Sequence, residues 1–440
     1  MSSNKPRSYR AAILHFTDRP DPRAGTGYQY FEDGVLLVDE QGRVKDLDSA
    51  HAMQSKGLDL AECEHFPDHL ILPGMIDSHI HSPQTGVIAS YGEQLIDWLN
   101  HYTFPAEAQY ADEHYAHAGA EQFLDLLLAN GTTTAMVYTS VFAQSTDAFF
   151  QTAERRNLRM IAGKVMMDRN APEVLTDTLV TGERDSRALI ETWHGRSRLH
   201  YAVTPRFAPT STPEQLQLAG KLLREYPGLY LQTHLSENHQ EVAWVEELFP
   251  EAQDYLDVYD RAGLLGPRSV FGHGLHLNDR ELQRLGQSGS SIAFCPTSNL
   301  FLGSGLLDVQ RLDDFGVPVA VATDVGGGTS FSMLRTLSEA YKVLQLQRQK
   351  LHPLLAFYWI TLGNARRLQL DAVLGNFAVG KEADFVLMDL AATSLQSARQ
   401  SNTHNLTELL FALMMLGDEH NVARTYVMGQ LMFERRKGET

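Results

Sequence analysis

Cysteine is scarce. The 440-residue chain has two, Cys63 and Cys295, too few for a disulfide framework, which points to a reducing compartment. Long apolar runs are also missing. The longest late one, residues 409–416, is far short of the ~20 residues that cross a bilayer. The first ten residues are polar and have no apolar signal core. A cytoplasmic location is the expectation. Basic residues are outnumbered, 37 Lys and Arg against 54 Asp and Glu, giving a net charge of -17. That balance argues against nucleic acid or an anionic membrane as partner, and it leaves a neutral small molecule open. No low-complexity segment and no short repeat is visible.

What is present is apolar material for a large core, 43% of residues. Residues 1–68 read as short strands and turns, with Gly34-Val35-Leu36-Leu37-Val38-Asp39 strand-like and Glu40-Gln41-Gly42-Arg43 a tight turn. Residues 372–440 read alike, through Ala383-Asp384-Phe385-Val386-Leu387-Met388-Asp389 and a strand–turn–strand over residues 424–433. Neither end has enough strands to stand alone, so the two are expected to form one small β-sandwich. Between them, residues 69–371 alternate apolar strands with helical stretches. Eight strands are expected, at 70–76, 132–137, 160–164, 199–203, 229–233, 270–272, 291–294 and 317–322. Eight strand–helix units fit an α/β fold of the (β/α)8 TIM-barrel type, with functional residues at the C-terminal strand ends. A doubly wound sheet is the alternative. It would bring a Gly-rich phosphate loop after the first strand, and none is there. Gly326-Gly327-Gly328 follows the last strand instead and reads as close backbone approach.

Strand one ends in Asp77-Ser78-His79-Ile80-His81. Side chains two apart on a strand share a face, so His79 and His81 project together. Such a pair is half a metal site or merely two adjacent histidines; the rest of the chain decides. His234 ends strand five, His273 strand six and Asp324 strand eight. About 38 residues per strand step separate His81 from His234, as successive barrel units require. Three histidines and a carboxylate suit a borderline-soft divalent cation, zinc, with iron as the alternative.

These motifs resemble the amidohydrolase superfamily over nearly the whole chain. Its two-metal members carry a bridging carboxylated lysine on strand four. That strand here, Leu199-His200-Tyr201-Ala202-Val203-Thr204-Pro205-Arg206, has no lysine, and Lys164 ends strand three. The resemblance therefore implies the one-metal deaminase branch, with one Zn(2+) per chain on His79, His81, His234 and Asp324. Within it the chain resembles the guanine deaminase family. The motifs are His81-Ser82-Pro83-Gln84, Tyr91-Gly92-Glu93-Gln94, Trp98-Leu99, Tyr102-Thr103-Phe104-Pro105, Thr204-Pro205-Arg206-Phe207, His234-Leu235-Ser236-Glu237-Asn238, Cys295-Pro296-Thr297-Ser298-Asn299-Leu300 and Thr323-Asp324-Val325-Gly326. Gly272-His273-Gly274 departs slightly from the usual Ala-His, but the histidine is kept. By resemblance, guanine is bound by Gln84, Arg206 and Phe207 together with His81, His234, Glu237 and Asp324, and the protein is a homodimer. The implied activity is hydrolysis of guanine to xanthine and ammonia.

The residue types allow that chemistry. A cation lowers the pKa of a water it holds. Asp324 can take the proton, His273 can orient the nucleophile, and Glu237 can protonate a ring nitrogen and later the leaving amine. Each has a plainer reading. His273 could be a satisfied core histidine, Glu237 a solvated residue near a helix start, and Arg206 a surface ion-pair partner. Trp98 and Phe104 could simply pack the long segment after strand one. His114, His117, His194 and His239 show no ligand registry and are expected to be exposed. Another N-heterocycle as substrate (adenine, 8-oxoguanine or an s-triazine) and a non-catalytic scaffold are the competing functions. A scaffold would lose ligands, and none is lost.

Overall fold

The computed structural model describes residues 7–91 and 95–436; Gly92, Glu93 and Gln94 of the Tyr91 motif, and most of the polar start, lie outside the described residues. Eight parallel strands form a nearly closed barrel: Met75–His81, Thr132–Tyr138, Arg159–Gly163, His200–Pro205, Tyr230–Leu235, Ser269–His273, Ser291–Phe294 and Val319–Val321. They are numbered one to eight below. Most are buried along their whole length, as parallel strands covered by helices must be. Ile76, Met136, Ile161, Tyr230 and Val270 fill the interior together with Ala365, Leu368 and Leu374 from the segment after strand eight.

Strands eight and one meet through backbone bonds, Asp324 N–H to His79 O at 3.0 Å and His81 N–H to Val325 O at 2.7 Å. The Asn364 carboxamide bridges the same seam, donating to Ile76 O and Val321 O and accepting from Val321 N–H. The (β/α)8 expectation is thus met, and the doubly wound alternative is excluded.

Both chain ends enter one seven-stranded sheet, ordered Gln430–Glu434, Val422–Val427, Phe385–Asp389, Glu64–Pro73, Arg7–Asp21, Thr26–Val38 and Val44–Ser49. It curls on itself: Val44 N–H reaches Lys381 O, and Tyr9, Leu36, Val44, Phe385 and Tyr426 share one buried cluster. The turn between the second and third strands of the chain is held by Asp39 Oδ1, which accepts from Gln41 and Arg43 N–H, with Gly42 at φ +81°.

One expectation is corrected. Residues 70–76 are not a single barrel strand. Leu70 to Pro73 belong to the terminal sheet, where Leu72 pairs with Val386, and the barrel begins at Met75. Gly74 is the crossing point. A β-carbon there would sit 2.1 Å from Thr133 Oγ1, so only glycine lets the chain pass from one sheet to the other. The apolar run is continuous across the break because both sheets bury it. Among the described residues, no helix is long and apolar enough to cross a membrane.

Candidate active site

The extended strand one turns His79 and His81 to one side at the barrel mouth. Tyr138, ending strand two, stacks on His81 with centroids 4.4 Å apart. His234 Nδ1 lies 2.7 Å from Arg206 O. That carbonyl can only accept, so the ring proton sits on Nδ1 and the bare Nε2 turns inward, 3.3 Å from His81 Nε2. Asp324, just past strand eight at φ +53°, sets Oδ1 3.2 Å from His79 Nε2 and 3.3 Å from His81 Nε2.

The four ligand atoms lie within 4.8 Å of one another, and the two nitrogens of His79 are buried with no hydrogen-bond partner. Bonds of about 2.0–2.1 Å to a tetrahedral ion put its ligand atoms about 3.3 Å apart. This donor set fits a metal ion and could hold one. Burial pushes His81 down to about 4 and His234 well below its usual range, so both are neutral and their lone pairs are free. Burial opposes ionisation of Asp324, but His79 and His81 beside it hold its carboxyl well below the usual carboxylate range.

Glu237 lies between strand five and the helix His239–Leu248. It is not solvated; its exposure is 3%. Glu241, whose carboxylate caps that helix, accepts the backbone N–H of Glu237 at 2.8 Å and a hydrogen bond from Tyr255 OH at 2.6 Å. Glu237 Oε1 accepts from Ser304 Oγ at 3.1 Å. Burial first, then the charges of Asp324 and Glu241, raise its carboxyl well above the usual range, which favours its protonated form. His273, at φ +70°, accepts from Asn299 Nδ2 at Nδ1, 2.9 Å away. Its own proton therefore sits on Nε2, which is 3.3 Å from Glu237 Oε2 and 3.8 Å from Asp324 Oδ2.

Arg206 and Phe207 follow strand four, and Gln84 follows strand one; all three are buried. Arg206 Nη1 donates to both oxygens of Glu107 at 2.8 Å, and its guanidinium lies 5.5 Å from the Phe104 ring centroid. Gln84 Nε2 donates to the same carboxylate at 3.0 Å, and its Oε1 accepts from Gly326 N–H at 3.1 Å. A cavity is lined by His81, His234, Asp324, His273 and Glu237, by Gln84, Arg206 and Phe207, and by apolar Trp98, Leu99 and Leu302. Polar groups that converge on a cavity with apolar walls on one side have the make-up of a small-molecule site.

The model of the amidohydrolase family matches residues 70–432. The chain belongs to the amidohydrolase family. It is 49% identical to the guanine deaminase of Escherichia coli (strain K12) over 98% of both chains. Its structure superposes on that of E. coli guanine deaminase with a TM-score of 0.95, covering 98% of this chain and 100% of that one. The guanine deaminase of C. acetobutylicum, solved with bound guanine in the active site, is 27% identical with a TM-score of 0.88, over 98% of this chain and 100% of that one.

In this amidohydrolase, Lys164 is no bridging ligand: its Nζ is paired with Asp177. The Gly326-Gly327-Gly328 run is close-packed as expected, since a β-carbon on Gly328 would lie 1.8 Å from Thr323 O. His117 and His194 are half-buried rather than exposed; His194 Nδ1 accepts from Tyr201 N–H. Sequence reasoning missed Glu107, Asn299, Ser304 and Glu241. Asn299 lies inside a quoted motif and could have been found there. Glu107, in Pro105-Ala106-Glu107-Ala108, gives no periodic signal.

Proposed function

We infer that this amidohydrolase deaminates guanine at C2, giving xanthine and ammonia. The observation that carries the reading is that Arg206, Glu237 and three members of the four-residue cluster, His81, His234 and Asp324, line one cavity in a chain 49% identical to the E. coli guanine deaminase over 98% of both chains. We propose zinc as the ion, one per chain on His79, His81, His234 and Asp324, with iron as the alternative. Bound there, a divalent cation acts as a Lewis acid and makes water a nucleophile near neutral pH.

The side chains divide the remaining work. Phe207, Gln84 and Arg206 hold the purine, Arg206 donating to O6. Asp324 accepts the proton that water loses as its oxygen bonds to C2. His273, with its Nε2 proton facing Glu237 and Asp324, orients the attack and stabilises the charge that develops. Glu237 delivers its proton to a ring nitrogen. As the C2–N bond breaks, the proton held by Asp324 passes to the amine, which leaves as ammonia, and the C2 hydroxyl returns its remaining proton to Glu237 as the carbonyl forms. The homodimer, from resemblance, and the cytoplasmic location, from composition, are proposals; sedimentation tests the first.

The deciding experiment measures ammonia and xanthine release from guanine, adenine and cytosine, with metal analysis of the same sample. Guanine alone should react. Metal-replete protein inert toward guanine ends the reading.

A further inference from the structure

We propose that Glu107 is a positioning residue for the substrate end of this site, fixing Arg206 and Gln84 and offsetting the charge of Arg206. The proposal rests on the reading that those two side chains face guanine.

Glu107 sits on the short helix Phe104–Ala108, in the segment after strand one, and is 1% exposed. Its Oε1 accepts from Arg206 Nη1 and Gln84 Nε2, and its Oε2 from Arg206 Nη1. This has two geometric consequences. The Gln84 amide can face only one way, because Nε2 must meet a carboxylate and Oε1 meets Gly326 N–H. One hydrogen on Nε2 and one lone pair on Oε1 remain for a ligand, in fixed directions. Arg206 spends Nη1 on Glu107, while its Nε and Nη2 have no acceptor among the described residues, and the side chain lines the cavity. The planar fork is thus locked with its remaining donors available for a carbonyl oxygen.

The third consequence is electrostatic. A buried, unpaired guanidinium would bind anions in preference to neutral purines. Paired with Glu107, Arg206 is half of a neutral unit that still donates hydrogen bonds. Guanine is neutral at working pH, whereas xanthine loses a proton more readily. Glu107 therefore favours entry of the neutral substrate and keeps the site from retaining the deprotonated product.

The test uses full-length, metal-replete protein and the substitutions Glu107→Gln and Glu107→Asp. Wild-type turnover of guanine comes first; its absence sinks the reading of function, independently of the variants. With wild-type turnover in hand, Glu107→Gln should keep its metal, raise KM for guanine at least about 30-fold and lower kcat far less, since the proton-transfer groups are untouched. Inhibition by xanthine, relative to KM, should strengthen with rising pH in Glu107→Gln and stay nearly flat in wild type. Glu107→Asp keeps the charge but draws it back, so KM should rise without the pH-dependent xanthine effect. Should Glu107→Gln not fold, that KM shift in Glu107→Asp carries the test. A purely structural ion pair would lower the melting temperature and leave KM and xanthine inhibition within threefold of wild type, and that result overturns the proposal.

Discussion

His273 Nε2 lies 3.3 Å from Glu237 Oε2, deep in a site where burial keeps the imidazole neutral, its pKa lowered to about 3, and raises the carboxyl well above the usual range. Two groups with displaced protonation states in contact mark a place where protons are exchanged. Glu237→Gln keeps the shape and one acceptor but cannot shuttle a proton. It should retain its metal and lose turnover by about 10²-fold or more. The check is steady-state kinetics beside metal analysis. Near-normal turnover, or loss of metal with the activity, would remove the assigned role.

Metal removal is the second prediction. The Nε2 atoms of His79, His81 and His234 converge with Asp324, and the lysine that two-metal relatives place on strand four is absent. Dialysis against a chelator should abolish activity, and one equivalent of zinc per chain should restore it. Two tightly held equivalents, both needed, would contradict the one-metal reading.

The convergence of His79, His81, His234 and Asp324 at the strand ends was legible in the sequence, because period-two alternation and barrel spacing are both written along the chain. The path between the two sheets was not. Leu70 to Ile76 is one apolar run, and apolarity does not say which sheet buries it. The break shows in the pairing of Leu72 with Val386 and of Met75 with Thr132, and in the close approach of Gly74 to Thr133. Glu107 was illegible for another reason. It reaches the site from a short helix over the mouth, and its partners Gln84 and Arg206 are 23 and 99 residues away. Glu237 was found as a residue, but its protonated state comes from burial and from Asp324, 87 positions further on.

The crossing at Gly74 gives a third prediction. Gly74→Val puts side-chain atoms where Thr133 already stands. Overpacking of this kind costs about 1–3 kcal/mol, and here it falls where the two sheets join. The melting temperature should drop by several degrees. The double variant Gly74→Ala/Thr133→Ala should recover stability relative to Gly74→Ala. An unchanged melting temperature for Gly74→Val would show that the crossing tolerates a side chain.

A pH dependence of stability is the fourth. Glu281 is buried, and burial raises its carboxyl to about 7. A carboxyl raised in the fold binds its proton more tightly folded than unfolded. Its contribution is therefore complete below the unfolded value near 4.5 and is lost as pH rises through about 7. The loss amounts to at most about 3 kcal/mol. Chemical denaturation of the full-length protein across roughly pH 5 to 8 measures it. Glu281→Gln, which cannot ionise, should show a flatter slope than wild type over that window. Identical slopes would mean that Glu281 titrates as an exposed carboxylate does.

The last prediction is discrimination at C6. Guanine presents a carbonyl there and adenine an amine. Arg206 is buried, with Nη1 committed to Glu107, so its remaining donors need an acceptor. A guanine O6 supplies one. An adenine amine would set donor against donor and leave a buried charged group unsatisfied, which can discriminate by roughly 10⁴-fold. Release of ammonia from adenine should therefore be negligible beside that from guanine. Arg206→Lys keeps the charge but replaces a planar fork by a point charge on a flexible stem, and it gives Glu107 a single nitrogen to share with the substrate. Its kcat/KM for guanine should fall at least about 10²-fold, far beyond what the same exchange does on a surface. Xanthine formation followed by ultraviolet absorbance reads both effects. Adenine turned over as well as guanine, or an Arg206→Lys variant within threefold of wild type, would show that O6 is recognised by some other group.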